Sequence, residues 1–272
     1  MTDLVSRFEN NDYDDVLIID SHMHHGKPPG FFSGGYSAQS LIKSMDINNI
    51  AQGCISSYDS IGQSAVRGNE DIIKIANGYP GRFEGQLGIN PNYPEQVDAI
   101  LAEAKEKGFF NQIKLHPDFH KYSIDGEQYH KSYRMADSLS MVVLLHTWGE
   151  KDVAQVYEIA KEYKNMIIMI GHSGGTLEGV KAAISVSQKT DNTYLDFTLS
   201  YNYQGLIEWM VKEAGAHRIL FGSDATFNSQ SAALGKIIYA DISDEDKLKI
   251  LGKNMKNILE QSKKRRENQN GK

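Results

Sequence analysis

The stretch Val16-Leu17-Ile18-Ile19-Asp20-Ser21-His22-Met23-His24 reads as an apolar strand that ends in two histidines. Side chains alternate faces along a strand, so His22 and His24 point the same way, about 6.6 Å apart along the backbone. Two imidazoles at that spacing, at the end of a buried strand, can converge on one cation. The pair gains weight from later strand ends that carry a matching ligand or another polar group.

Eight short apolar runs bounded by turn residues follow one another, at 16–22, 50–57, 83–90, 109–116, 141–146, 166–172, 193–198 and 218–224. Their spacing of roughly 25 to 35 residues suits a strand, a loop, a helix and a return. The intervening segments show helical periodicity: 94–107 places Val97, Ile100, Leu101 and Ala104 on one face, and 153–163 does the same with Val156, Ile159 and Ala160. Near-continuous apolar strands alternating with amphipathic helices predict a parallel sheet covered on its outer face. Eight such units predict an α/β chain folded as a closed (β/α)8 TIM barrel, a single domain of about 250 residues. A doubly wound open sheet is the alternative, but it gives no reason for polar residues to recur at so many strand ends. The expected division is a polar segment at 1–15, the barrel at 16–260 and a basic polar tail at 261–272, solvated and frayed.

Composition narrows the classes. The single cysteine, Cys54, excludes an internal disulfide and fits a reducing compartment, hence a cytoplasmic protein. It lies in an apolar stretch, where a buried thiol is expected rather than a nucleophile. The 29 basic and 35 acidic residues leave a net charge of -6, which argues against a nucleic-acid surface. The polar start does not read as a signal peptide, and no apolar run approaches a membrane span. A small-molecule substrate is the expected partner, with a homodimer left open.

In a TIM barrel the active site forms at the C-terminal ends of the strands. Those ends carry His22 and His24, Lys114 and His116, His146, His172 and Asp224. Three histidines and a carboxylate suit one divalent metal, zinc first, with manganese, iron or cobalt also compatible.

Asp20-Ser21-His22-Met23-His24, Ile113-Lys114-Leu115-His116-Pro117, His146, Gly171-His172-Ser173-Gly174-Gly175 and Phe221-Gly222-Ser223-Asp224 together resemble the amidohydrolase superfamily. More narrowly, they resemble the branch containing aminocarboxymuconate-semialdehyde decarboxylase and many metal-dependent hydrolases. Asn69-Glu70-Asp71, Pro80-Gly81-Arg82-Phe83, Asn90-Pro91 and Ile250-Leu251-Gly252-Lys253-Asn254 add to the match. The resemblance implies that His22, His24, His146 and Asp224 hold one divalent metal. It also implies that His172 stands beside the metal-activated water, and that Asp224 shares the proton. Lys114 is read as a partner for substrate charge, with a carbamylated, metal-bridging Lys114 in a binuclear site as the alternative.

Weaker candidates surround these. His116, on the same strand face as Lys114, either contacts substrate or packs at the barrel mouth and hydrogen-bonds locally, and Trp148, two residues past His146, either walls a substrate pocket or simply packs. Arg67 and Tyr201 follow strands 2 and 7 and are placed to reach a substrate carboxylate or oxyanion. The loop 28–36, with Phe31, Phe32, Gly34 and Gly35, has the composition of a lid over the mouth. His25 is expected to be structural, and His120, His130 and His217 are expected at the surface. Gly174-Gly175 is read as a tight turn.

The leading expectation is hydrolysis of an amide, cyclic amide or lactone. The alternative is non-oxidative decarboxylation of a small unsaturated or aromatic acid, which needs a cationic partner for a carboxylate. An inactive metal-binding barrel is the third reading.

Overall fold

A computed structural model describes residues 3–28, 30, 35–198 and 203–270, with side chains to 266. Phe31, Phe32 and Gly34 of the expected lid, and Tyr201, lie outside the described residues.

The apolar runs form eight parallel strands: β1 (Ile19–His25), β2 (Gln52–Ser57), β3 (Phe83–Gly88), β4 (Gln112–Leu115), β5 (Val142–His146), β6 (Ile167–Gly171), β7 (Thr193–Phe197) and β8 (Ile219–Phe221). They neighbour one another in chain order from β1 to β8. The ring closes where Met23 bridges Ala225 and the Asp224 N–H donates to the His22 carbonyl at 2.8 Å. This is the TIM barrel expected from the sequence.

Helices α1 (Leu4–Glu9), α2 (Ala38–Ile47), α3 (Ala65–Gly78) and α4 (Pro94–Lys107) cover the first half. The second half is covered by α5 (Pro117–His120), α6 (Glu127–Ser138), α7 (Glu150–Glu162), α8 (Leu177–Lys189) and α9 (Leu206–Ala214). Next come α10 (Gln230–Ile238), α11 (Asp244–Leu248) and α12 (Asn254–Asn270). Local chemistry fixes where they start and stop. Ser37, Ser64 and Thr176 accept N–H groups of the first turns of α2, α3 and α8, an exchange that stabilises by about 1 kcal/mol each. In α4, Pro94 opens the helix, Val97, Ile100, Leu101 and Ala104 are buried, and Gly108 ends it at φ 61.

Alternation along the strands divides the core. Val143 and Leu145 of β5 pack outward under the helices, whereas Val142 and Leu144 face inward with Ile19, Cys54, Ile167, Met169 and Leu220. Met255 and Ile258 of α12 join that inner cluster and cap one end of the barrel. The histidine-bearing strand ends lie at the other end.

Both chain ends pack on the barrel. Leu4 of α1 is buried and its N–H donates to Asp244 Oδ2 at 3.0 Å. The basic stretch, expected to fray, continues α12 to Asn270, and buried Ser262 donates to the Ser140 carbonyl at 2.6 Å. Among the described residues no helix is long and apolar enough to cross a membrane.

Candidate metal centre

At the end of β1, His22 and His24 converge as their spacing requires, with Nε2 atoms 3.1 Å apart. Asp224 Oδ1 lies 3.2 Å from His24 Nε2 and 3.6 Å from His22 Nε2. The far sides of both rings are held. His22 Nδ1 donates to Asp196 Oδ2 at 2.7 Å, and His24 Nδ1 pairs with Ser56 Oγ at 2.8 Å while its ring stacks on Tyr58. Such partners orient metal-ligating imidazoles and aim the opposite nitrogens inward.

The electrostatics favour a cation. Burial, followed by the nearby Lys114 and His172 charges, drives His22 well below the usual imidazole range. Burial also lowers His24, against the pull of Asp224, so both rings present lone pairs. Burial alone would raise the Asp224 carboxyl, but the His24 hydrogen bond and the surrounding His172 and Lys114 outweigh it and hold it below its ordinary value. A carboxylate among neutral imidazoles is a donor set for a divalent metal.

The ligand-type atoms of His22, His24 and Asp224 lie within 4.8 Å of one another, and so do those of His22, His172 and Asp196. His146, the fourth expected ligand, lies at the cavity base and belongs to neither of these groups. Its Nε2 donates to Asp118 Oδ2 at 3.1 Å, and its ring stacks on His116 at 3.8 Å and lies 4.7 Å from His172. Its Nδ1 is buried with no hydrogen-bond partner. An orphaned buried lone pair beside this cluster fits a metal ligand, so the residues present suit the ion that the sequence implies.

Lys114 is fully buried, and Nζ sits 2.8 Å from His22 Nε2. Burial pushes its ammonium down to about 8 against the pull of Asp224 and Asp196. Were His22 to hold a dication, the Lys114 ammonium could not share the same lone pair and would have to move aside or lose its proton.

A cavity of about 730 Å³ opens above this floor. His24, His116, His146, His172 and Asp224 form its base; Tyr58, Phe119, Trp148 and Phe227 form its walls. Among the described lining residues Lys121 carries the one ammonium or guanidinium group. Trp148 reaches the wall because Gly175, at φ 67, has no side chain: a Cβ there would come within 2.3 Å of the indole. His116 caps α5 through Nδ1, which accepts the Phe119 N–H at 3.4 Å.

Two expectations need correction. Arg67 does not line the cavity: in the first turn of α3 its guanidinium pairs with Asp59 at 2.8 Å, with the side chain 58 % exposed. His120 is buried rather than superficial, because α5 turns it inward to pair Nε2 with the Ile61 carbonyl and Nδ1 with the Tyr129 hydroxyl. His130 is half-buried and His217 exposed.

Sequence reasoning missed Asp196, Thr198, Ser56, Asp118 and Lys121. Asp196 carried a signal, a carboxylate inside an apolar run, and it is fully buried. The others carried none, since hydroxyls and loop charges are ordinary at such positions.

A closed barrel with a histidine–carboxylate cluster at its strand ends defines a metal-dependent enzyme. The amidohydrolase family model matches residues 19–258, and the chain belongs to that family. No curated protein matches the sequence. Among solved structures, the chain is similar to a dihydroxybenzoic acid decarboxylase from Polaromonas with bound manganese and the inhibitor 2-nitroresorcinol, at 17% identity and TM-score 0.74, covering 90% of this chain and 97% of that one. It is also similar to a 5-carboxyvanillate decarboxylase from Novosphingobium aromaticivorans complexed with manganese and 4-hydroxy-3-methoxy-5-nitrobenzoic acid (13%, TM-score 0.70, covering 91% and 97%). A third is an uncharacterised TIM-barrel protein from Bordetella bronchiseptica, at 18% identity and TM-score 0.72, covering 90% and 99%. At these identities the likeness establishes the fold.

Proposed function

We propose that the protein is a metal-dependent, non-oxidative decarboxylase of a small aromatic or unsaturated acid. The observation that carries this reading is the cavity: four aromatic side chains stand around an imidazole–carboxylate floor, with the Lys121 ammonium at the wall. A flat acid matches both features, since its ring lies between aromatic faces and its charge finds a cation. Two similar structures are decarboxylases of substituted benzoic acids with manganese, which supports the same substrate class. Hydrolysis of an amide, cyclic amide or lactone, the leading expectation from the sequence, becomes the second reading, because nothing in the aromatic walls favours it. A small molecule is the proposed partner, the cytoplasm the proposed location, and a homodimer the assembly to test.

His22, His24, His146 and Asp224 would hold a divalent cation, manganese or zinc, which would supply positive charge to substrate oxygens. The chain's own residues do the rest. Tyr58, Phe119, Trp148 and Phe227 exclude water and hold the ring flat. The Lys121 ammonium draws the anionic substrate inward. In the reaction the carbon–carboxyl bond breaks, its electron pair stays on the substrate carbon, one proton replaces the carboxyl group, and CO2 leaves; no oxidant is needed. His172, on the cavity floor, is assigned that proton: Nε2 takes it from a ring hydroxyl of the substrate and returns it to the carbon as CO2 leaves, and solvent reprotonates the resulting phenolate.

The test is a panel of hydroxylated benzoic and unsaturated acids with detection of released CO2, run beside esters, lactones and amides on metal-reconstituted protein. CO2 released in step with loss of an acid is expected. Hydrolysis without CO2 would establish the second reading, and a metal-loaded chain that turns over neither set would be an inactive barrel.

A further inference from the structure

Asp196 of β7 and Thr198, just past its end, hold His172. It and Ser173 sit in the left-handed backbone region, at φ 56 and 47, a strained turn of the kind found at functional sites. The His172 N–H donates to Asp196 Oδ2 at 3.1 Å, and Ser173 Oγ donates to the Asp196 carbonyl at 2.9 Å. The side chain is held as well. Nδ1 lies 3.4 Å from the Thr198 carbonyl and 2.8 Å from Thr198 Oγ1.

A carbonyl oxygen only accepts. The Thr198 hydroxyl has one hydrogen, and Asp196 Oδ2, 2.7 Å away, takes it. Both neighbours therefore require a hydrogen on Nδ1. From this we propose that Thr198, backed by Asp196, fixes His172 as the Nδ1–H tautomer and so keeps Nε2 as a lone pair directed to the cavity. The same Asp196 oxygen receives His22 Nδ1 at 2.7 Å, so one carboxylate sets the orientation of both rings. In the opposite tautomer Nε2 would carry hydrogen and could only donate. Thr198 is buried and does not line the cavity, so it is a positioning residue acting through His172.

The inference rests on His172 moving a proton in the proposed reaction, but the tautomer can be read without turnover. The experiment is 15N NMR of histidine-labelled protein, metal-free and zinc-loaded, for wild type, Thr198→Ser and Thr198→Val, with His172→Gln to assign the ring. Wild type and Thr198→Ser are expected to show a protonated Nδ1 and a bare Nε2. Thr198→Val is expected to mix or invert the two. It should also lose about tenfold to a hundredfold in kcat on the acid that releases CO2, with KM and metal content held. A wild-type ring with bare Nδ1 overturns the proposal even if Thr198→Val fails to fold. So does Thr198→Val with the wild-type pattern. Failure of every acid to release CO2 would refute the decarboxylase reading and leave the nitrogen pattern as an independent result.

Discussion

At the scale of single residues the site depends on partners that aim rings. Asp118 takes the Nε2 hydrogen of His146, whose buried Nδ1 is left without a hydrogen-bond partner and is the atom proposed for the metal. Asp118→Asn is expected to weaken metal affinity by about tenfold to a hundredfold in a chelator competition; unchanged affinity would remove His146 from the ligand set. His120 gives a pH prediction away from the metal. Burial lowers it from 6.5 to about 4, against its bond to the Ile61 carbonyl. Between those values the unfolded chain binds more protons than the folded one, so stability rises with pH across the window and is lost on acidification. The stability difference between wild type and His120→Gln should therefore shrink by about 2 kcal/mol from about pH 7.5 to about pH 5 in urea melts. A pH-independent difference would contradict the buried, neutral imidazole. The histidines of the site were legible because each closes an apolar run. Asp196 was legible only as a carboxylate inside an apolar run; its function depends on His22, 174 positions away.

At the scale of elements, apolar runs located all eight strands but not their ends. β1 begins at Ile19 rather than Val16: Val16 and Ile18 are buried, yet they pack ahead of the sheet, and burial alone drew the longer run. α4 was legible to its last residue because Pro94 and Gly108 punctuate it. The turn from β6 into α8 was read as tight, but its second purpose, to let Trp148 lie over Gly175, needed a contact across the mouth. Gly175→Ala places a methyl group in the indole and a side chain at φ 67. It is expected to destabilise by about 1 to 3 kcal/mol. It should also raise KM for an aromatic acid more than it lowers kcat; an unaltered KM would mean that Trp148 does not contact substrate.

At the scale of the molecule, stability and chemistry occupy opposite ends of one cylinder. Ile258 of α12 packs into the inner core at the end away from the histidines. Ile258→Ala is expected to cost about 2 to 5 kcal/mol in denaturant while metal affinity stays at the wild-type level; a loss of affinity would show the two ends to be coupled. The barrel was legible because eight repeats of one pattern leave few ways to bury eight apolar strands. Of the cavity walls Trp148 alone was anticipated; Phe119 on α5 and Phe227 after β8 were not, since only the closed sheet fixes where they meet. The central claim is that those strand ends hold one cation. Metal content after reconstitution with zinc or manganese tests it most directly: about one ion per wild-type chain is expected, and close to none for His22→Ala with His24→Ala in a chain that still folds. A wild-type chain that retains no metal, or a double variant that retains it fully, would contradict the account.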